Sequence, residues 1–122
     1  MNHGFDPEEF LEIARKLKND DYLPIAGRIR TSVSRAYYAA FLKTKIKLES
    51  FGYSFPDDSR LHYDVRECLR NKLKKSDIAS NLENLFEYRV IADYEVKKSI
   101  SEQISEKCIK RSEFIINLID SL

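Results

Sequence analysis

Residues 30–42 constrain this chain most: Arg30-Thr31-Ser32-Val33-Ser34-Arg35-Ala36-Tyr37-Tyr38-Ala39-Ala40-Phe41-Leu42 holds neither glycine nor proline. A run so rich in alanine and rings, with bulk on several faces, suits a helix covered on more than one side rather than a surface helix with one apolar stripe. Ala36, Ala39 and Ala40 let neighbouring backbones come close, while Val33, Tyr37, Tyr38 and Phe41 supply large surfaces. The other segments then read as partners that pack around a central helix. Arg35 breaks the pattern, because a guanidinium keeps its charge and on a covered face needs a carboxylate, carbonyls or an anion. The bland alternative is a stem that lies along the helix and carries its head to water.

Only three glycines and three prolines in 122 residues leave little material for the turns of a β-protein. The segments between them mix apolar, Lys and Glu residues as helices do, so the expectation is an all-α fold over one domain, residues 1–122. Cys68 and Cys108 fall inside helix-like patterns, and with only His3 and His62 as further soft ligands no zinc spacing exists. A reducing, cytoplasmic setting is therefore expected, with no metal and no cofactor. The opening apolar residues are interrupted by Asp6, Glu8 and Glu9, and the patch at residues 114–119 is too short to span a bilayer, so no membrane role is expected. Net charge is +1, which provides no global attraction for nucleic acid. Any such binding must come from a local cluster. Three basic groups are visible, at Lys43/Lys45/Lys47, at Arg66/Arg70/Lys72/Lys74/Lys75 and at Lys107/Lys110/Arg111, each of which also reads as a solvated helix face.

In chain order, Asp6 is placed to cap a first helix with Pro7 at its first position, and Phe10, Ile13, Ala14 and Leu17 share one face. Asn19-Asp20-Asp21 ends it. A second helix is predicted from residue 23 or 24 to 51, stopped by Gly52, with Gly27 marking a close crossing or a bend. A third is predicted over 59–73 on Leu61, Val65, Cys68, Leu69 and Leu73. Ser76 or Asp77 is expected to cap a fourth, whose stripe of Ile78, Leu82, Leu85, Phe86, Arg89 and Ala92 ends at Asp93-Tyr94-Glu95. Ser99 with Glu102 suggests the capping box of a fifth, buried along Ile100, Ile104, Cys108, Ile115, Ile119 and Leu122. Five helices joined by short polar loops predict an up-and-down antiparallel bundle.

Two arginines, Arg35 and Arg89, occupy stripes otherwise made for packing, on the two helices best suited to face each other. Asp93, four residues after Arg89, can pair with it on the helix surface. Tyr37, Tyr38 and Tyr94 add phenols to the same neighbourhood. Guanidinium forks grip phosphate and rings stack on bases, so this set fits a nucleotide; an internal Arg-Asp-Tyr network accounts for the same residues with no ligand. His62, at the head of the third helix, is either a general base or a helix-start residue bonded to a neighbour. Glycine-rich phosphate loops, Gly-x-Ser-x-Gly, His-Glu-x-x-His and Cys-x-x-Cys are all absent from the chain.

The run Ser34-Arg35-Ala36-Tyr37-Tyr38-Ala39-Ala40-Phe41, followed by His62 and then by Arg89-Val90-Ile91-Ala92-Asp93-Tyr94, resembles the HEPN superfamily, specifically its small stand-alone prokaryotic branch. That resemblance implies a helical bundle, usually dimeric, with the arginine motif near the dimer cleft. Many members are metal-independent ribonucleases of toxin-antitoxin or defence systems, often encoded beside a minimal nucleotidyltransferase that neutralises them. Their usual motif is an arginine, a polar residue, and a histidine a few positions on. Here the arginine is Arg89, Val90 stands in the polar place and Tyr94 in the histidine's; Leu42 stands where related branches carry another histidine. A phenol, with an ordinary pKa near 10 against about 6.5 for imidazole, is a poor acid-base group at neutral pH.

Three functional expectations follow. In the first, a homodimeric module partners a nucleotidyltransferase and holds nucleotide or RNA, with Arg35 and Arg89 on phosphate, Asp93 orienting Arg89, and Tyr38 and Tyr94 stacking or hydrogen-bonding. In the second, the chain is a metal-independent endoribonuclease whose catalytic pair is His62 and Arg89, which requires these two to lie close together. In the third, it is a structural dimerisation domain with every charge in the cleft satisfied internally.

Overall fold

A helix whose residues are covered on most sides must sit in the middle of its bundle, and the second helix does. The computed structural model describes residues 4–122, leaving His3 outside them. Its helices are α1 (Glu8–Lys18), α2 (Ile25–Ser50), α3 (Leu61–Asn71), α4 (Ser76–Tyr94) and α5 (Glu102–Asp120), with no strand among the described residues. The all-α bundle expected from composition and periodicity is the observed fold. The α2 helix touches each of the other four, whereas α3 lies to one side against α4 and α2.

Small residues make this possible. Ala36, Ala39 and Ala40 have no exposed surface, and Tyr37, Phe41 and Leu48 fill the space around them with Leu69, Leu82, Leu85, Ile115 and Ile119. Burial on this scale, at roughly 25 cal/mol per Å² of apolar surface, is the main force holding the helices together. Buried hydroxyls add direction: Ser32 Oγ donates to the Ala14 carbonyl at 2.8 Å, and Ser105 Oγ donates to Ser32 Oγ at 3.1 Å, tying α1, α2 and α5 at one level. Ile13, expected on the inner face of α1, is 44% exposed; Leu11 and Ala14 carry that contact.

Helix ends follow local chemistry, with some departures from the sequence expectation. Asp6 Oδ1 accepts the Glu8 amide at 3.0 Å, as a residue ahead of Pro7 should. At the end of α2, Gly52 adopts φ +98, and the amides of Gly52 and Tyr53 bond the Glu49 and Leu48 carbonyls. Glycine pays no Cβ penalty in this closing geometry. Gly27 marks no close crossing: nothing lies within 4 Å of where its Cβ would stand, and α2 continues through it. Neither Ser76 nor Asp77 caps α4, since Lys75 takes that position with no side-chain bond to the first turn. The cap of α5 is Ser101, accepting the Ile104 amide at 3.2 Å, rather than Ser99. The reason is Arg30, which holds the carbonyls of Glu95 and Lys98 and keeps that segment off the helix. No helix among the described residues is long and apolar enough to cross a membrane. Both cysteines are free and buried, and burial pushes the Cys108 thiol up to about 12.

Candidate functional site

The lateral position of α3 leaves a face where α2, α3 and α4 meet, and three arginines gather there. Arg89 of α4 is 7% exposed, and its guanidinium carbon lies 5.6 Å from the Tyr37 ring, 5.4 Å from Tyr38, 5.1 Å from Phe86 and 5.8 Å from Tyr94. A cation so enclosed by aromatic faces is partly compensated by their quadrupoles. Asp93, one turn on, reaches Arg89 Nη1 at 3.7 Å and accepts a hydrogen bond from Ser34 Oγ at 3.1 Å. The expected Arg89–Asp93 pair is therefore present, anchored to α2 through Ser34.

Arg35 joins from α2. Its guanidinium lies 5.1 Å from the same Tyr38 ring and 4.5 Å from Phe10, and its Nη2 meets Ser34 Oγ at 3.4 Å. It makes no ion pair among the described residues. The two arginines singled out in the sequence thus converge on one tyrosine ring, and Ser34 links them, bonded to Arg35 and to the acid that pairs with Arg89. Tyr38 is the shared surface between them, while Tyr94 stands 70% exposed at the outer edge.

Arg66, on α3, completes the cluster and was hidden within a basic run. It is 8% exposed, 4.9 Å from the Phe86 ring that Arg89 also faces, and without an ion pair among the described residues. A sequence signal existed: Arg66 lies four residues after His62, on the flank of the Val65-Leu69 stripe, so the two share a face. Its neighbours in that run behave differently, Arg70 being bonded to Glu67 at 2.9 Å and Glu83 at 2.6 Å.

His62 belongs to the same site. Its ring stacks on Phe41 at 4.4 Å, lies 5.2 Å from Phe86, and its Nδ1 meets the Tyr37 hydroxyl at 2.5 Å. Burial above all keeps the Tyr37 phenol protonated far beyond its usual range. Tyr37 Oη–H therefore donates to Nδ1, which puts the proton of the neutral imidazole on Nε2. Burial, then the charges of Arg89 and Arg66, lower the His62 pKa to about 4, so roughly one ring in a thousand is protonated at pH 7. Such an imidazole offers a neutral donor and almost no general acid.

The atoms at the surface define what this arrangement can do. Nε of Arg89, and Nε and Nη1 of Arg66, are buried with no hydrogen-bond partner, whereas the remaining nitrogens of both forks are not enclosed in this way. Of these three permanent cations only Arg89 is paired with a carboxylate among the described residues, and aromatic rings stand between them. That is a fixed, positively charged surface for an anion with planar groups attached. Among the described residues no group of three His, Cys, Asp or Glu side chains is placed to hold a metal ion.

A helical bundle with an arginine-aromatic face formed by its second, third and fourth helices is the class of protein these observations define. The HEPN domain model matches residues 7–122, and the chain belongs to the HEPN domain family. It is 32% identical over 114 residues to an uncharacterised protein of Methanocaldococcus jannaschii, covering 80% of this chain and 64% of that one. It is also 31% identical over 94 residues to a UPF0332 protein of Archaeoglobus fulgidus, covering 74% of this chain and 72% of the relative. The chain thus spans less than two thirds of the length of the first of these relatives.

Proposed function

We propose that this HEPN domain is a nucleotide- or RNA-binding module, acting as a homodimer and as the partner of a nucleotidyltransferase in a toxin-antitoxin or defence system. The observation that carries the binding reading is the imbalance at the cluster: of Arg35, Arg66 and Arg89, Arg89 alone has an ion pair among the described residues, with Asp93. A dimerisation domain with no ligand has every charge answered internally, and here Arg35 and Arg66 form no ion pair among the described residues, the nearby Glu83 carboxylate being bonded to Arg70. Self-association is supported by Tyr94 and Val96, 70% and 82% exposed beside the cluster. The nucleotidyltransferase pairing rests on family membership and on the missing motif histidine, which favours holding RNA over cutting it.

A metal-independent ribonuclease is the second reading, favoured by one observation: His62 and Arg89 share the rings of Tyr37, Tyr38 and Phe86. The low pKa of that imidazole counts against it, since a strong general acid is absent. Both readings are tested with fluorescently labelled single-stranded RNA in EDTA, followed by anisotropy and by gel. Binding without cleavage, weakened at least tenfold in Arg89→Met, is expected. Cleavage lost in both Arg89→Met and His62→Gln would establish the enzyme instead, and no binding by folded wild type would refute the module.

A further inference from the structure

The basic group at Lys107, Lys110 and Arg111 has no part in the arginine cluster, which gathers where α2, α3 and α4 meet. It lines an open groove of about 580 Å³ between α4 and α5, together with Asn81, Glu106 and Phe114. On α5 these side chains recur at spacings of three and four, so they form one wall of the groove. Glu106 and Lys110 pair at 3.8 Å, both exposed. Lys107 and Arg111 form no ion pair among the described residues; Arg111 Nη1 donates instead to Asn84 Oδ1 on α4. Asn84 is neutral, so this bond ties the fork to α4 without cancelling its charge. Phe114, 52% exposed, is the large apolar side chain that α5 leaves outside, whereas Ile109, Ile115, Ile116 and Ile119 are buried. An apolar ring thus stands in one groove with two unanswered cations.

A phosphate chain suits this groove poorly, because Glu106 sets a carboxylate among the cations that would hold it. A helix suits it better. Side chains four apart on one helix face are separated by about 6 Å of rise, which is also the separation of Lys107 and Arg111 along α5, and a groove between two helices is a common seat for a third. We infer that the groove docks an amphipathic helix of a partner protein, with two acids four residues apart on Lys107 and Arg111 and an apolar side chain one turn further along on Phe114. Single ion pairs at an open surface contribute little, so Phe114 is the anchor and the two cations set register and direction. The docking surface is separate from the nucleic-acid reading and does not depend on it.

The probe is a fluorescein-labelled, alanine-based helical peptide with two glutamates four apart and a leucine three positions beyond the second, titrated with the full chain and followed by anisotropy. Wild type should bind it, and glutamine in place of both glutamates should weaken binding about tenfold. Lys107→Glu should cost a similar factor, restored by a peptide with lysine in place of the facing glutamate. Phe114→Ala should cost at least as much. Both side chains are exposed, and urea unfolding of each variant confirms that the bundle is intact. No binding of the peptide by folded wild type, or equal binding by Lys107→Glu without any exchange of preference, overturns the docking site while leaving the nucleic-acid module standing. Single-stranded RNA weakened by Lys107→Glu, with the peptide indifferent to it, assigns the groove to nucleic acid and overturns the docking site. A wild-type dimer that Phe114→Ala dissociates in sedimentation overturns it too, by giving the groove to a second copy of the chain.

Discussion

Arg28 and Arg89 are equally buried, each 7% exposed, and they sit in opposite circumstances. Arg28 donates to the Lys18 carbonyl and lies 3.6 Å from both Asp21 and Glu102, so one fork joins the α1–α2 turn to the start of α5, leaving only its Nε unpaired. Arg30, a little further along α2, gives its fork to the carbonyls of Ile91, Ala92, Glu95 and Lys98 at the end of α4. These two arginines close helix ends, where orphan carbonyls and the negative end of the helix dipole favour a cation. On the other face, Arg35, Arg66 and Arg89 rest on rings, and only Arg89 has a carboxylate partner among the described residues. Burial alone does not separate these two kinds of arginine; an inventory of partners does.

That contrast predicts opposite responses to truncation. The largest effect is expected from Arg30→Ala, which strips charged donors from four carbonyls and should cost about 2–3 kcal/mol in urea unfolding, with the remaining folded protein still binding RNA. Arg66→Met removes a buried charge whose donors are unpaired and substitutes apolar volume, so stability should change by less than about 1 kcal/mol or rise. A loss there as large as that of Arg30→Ala would erase the distinction.

His62 sharpens the comparison through pH. Its folded pKa, about 4, lies below its ordinary value, so the unfolded chain takes up the proton first as pH falls. The stability tied to a neutral His62 is fully present above about pH 6.5 and is lost as pH drops towards 4; for a partly exposed ring this amounts to about 1–2 kcal/mol after solvent screening. Unfolding of wild type and His62→Phe at pH 7 and pH 5 should show a wild-type fall that the variant lacks. Equal falls would mean that the imidazole is not held against the arginines. The smallest effect is expected from Asp93→Asn, which removes the acid paired with Arg89 and should tighten RNA binding a few-fold at low salt; weaker binding would assign Asp93 to positioning Arg89.

Much of this was legible before any coordinates. Scarce glycine and proline, with periodic apolar residues, foretold five helices, and the alanine-aromatic run marked the one at the centre. Arg89 and Asp93 were readable because both lie on one helix at a spacing of four. Residues whose meaning depends on another element were not. Arg66 looked like part of a solvated basic face until α4 brought Phe86 over it, and the partner of His62 is a hydroxyl on α2, 25 positions away. Arg30 drew no comment, since its acceptors are backbone carbonyls more than 60 positions downstream and carry no side-chain signature. The cap of α5 moved from Ser99 to Ser101 for the same reason.

The central claim, that the forks on this face await an external anion, is tested most directly by urea unfolding of wild type and Arg89→Met with and without single-stranded RNA. Without RNA the two should unfold within about 1 kcal/mol of each other. At a hundredfold excess over Kd, RNA should stabilise wild type by about 2.7 kcal/mol and leave Arg89→Met nearly unmoved at the same concentration. An Arg89→Met protein that is severely destabilised on its own, beside a wild type indifferent to RNA, would show the cluster to be scaffold.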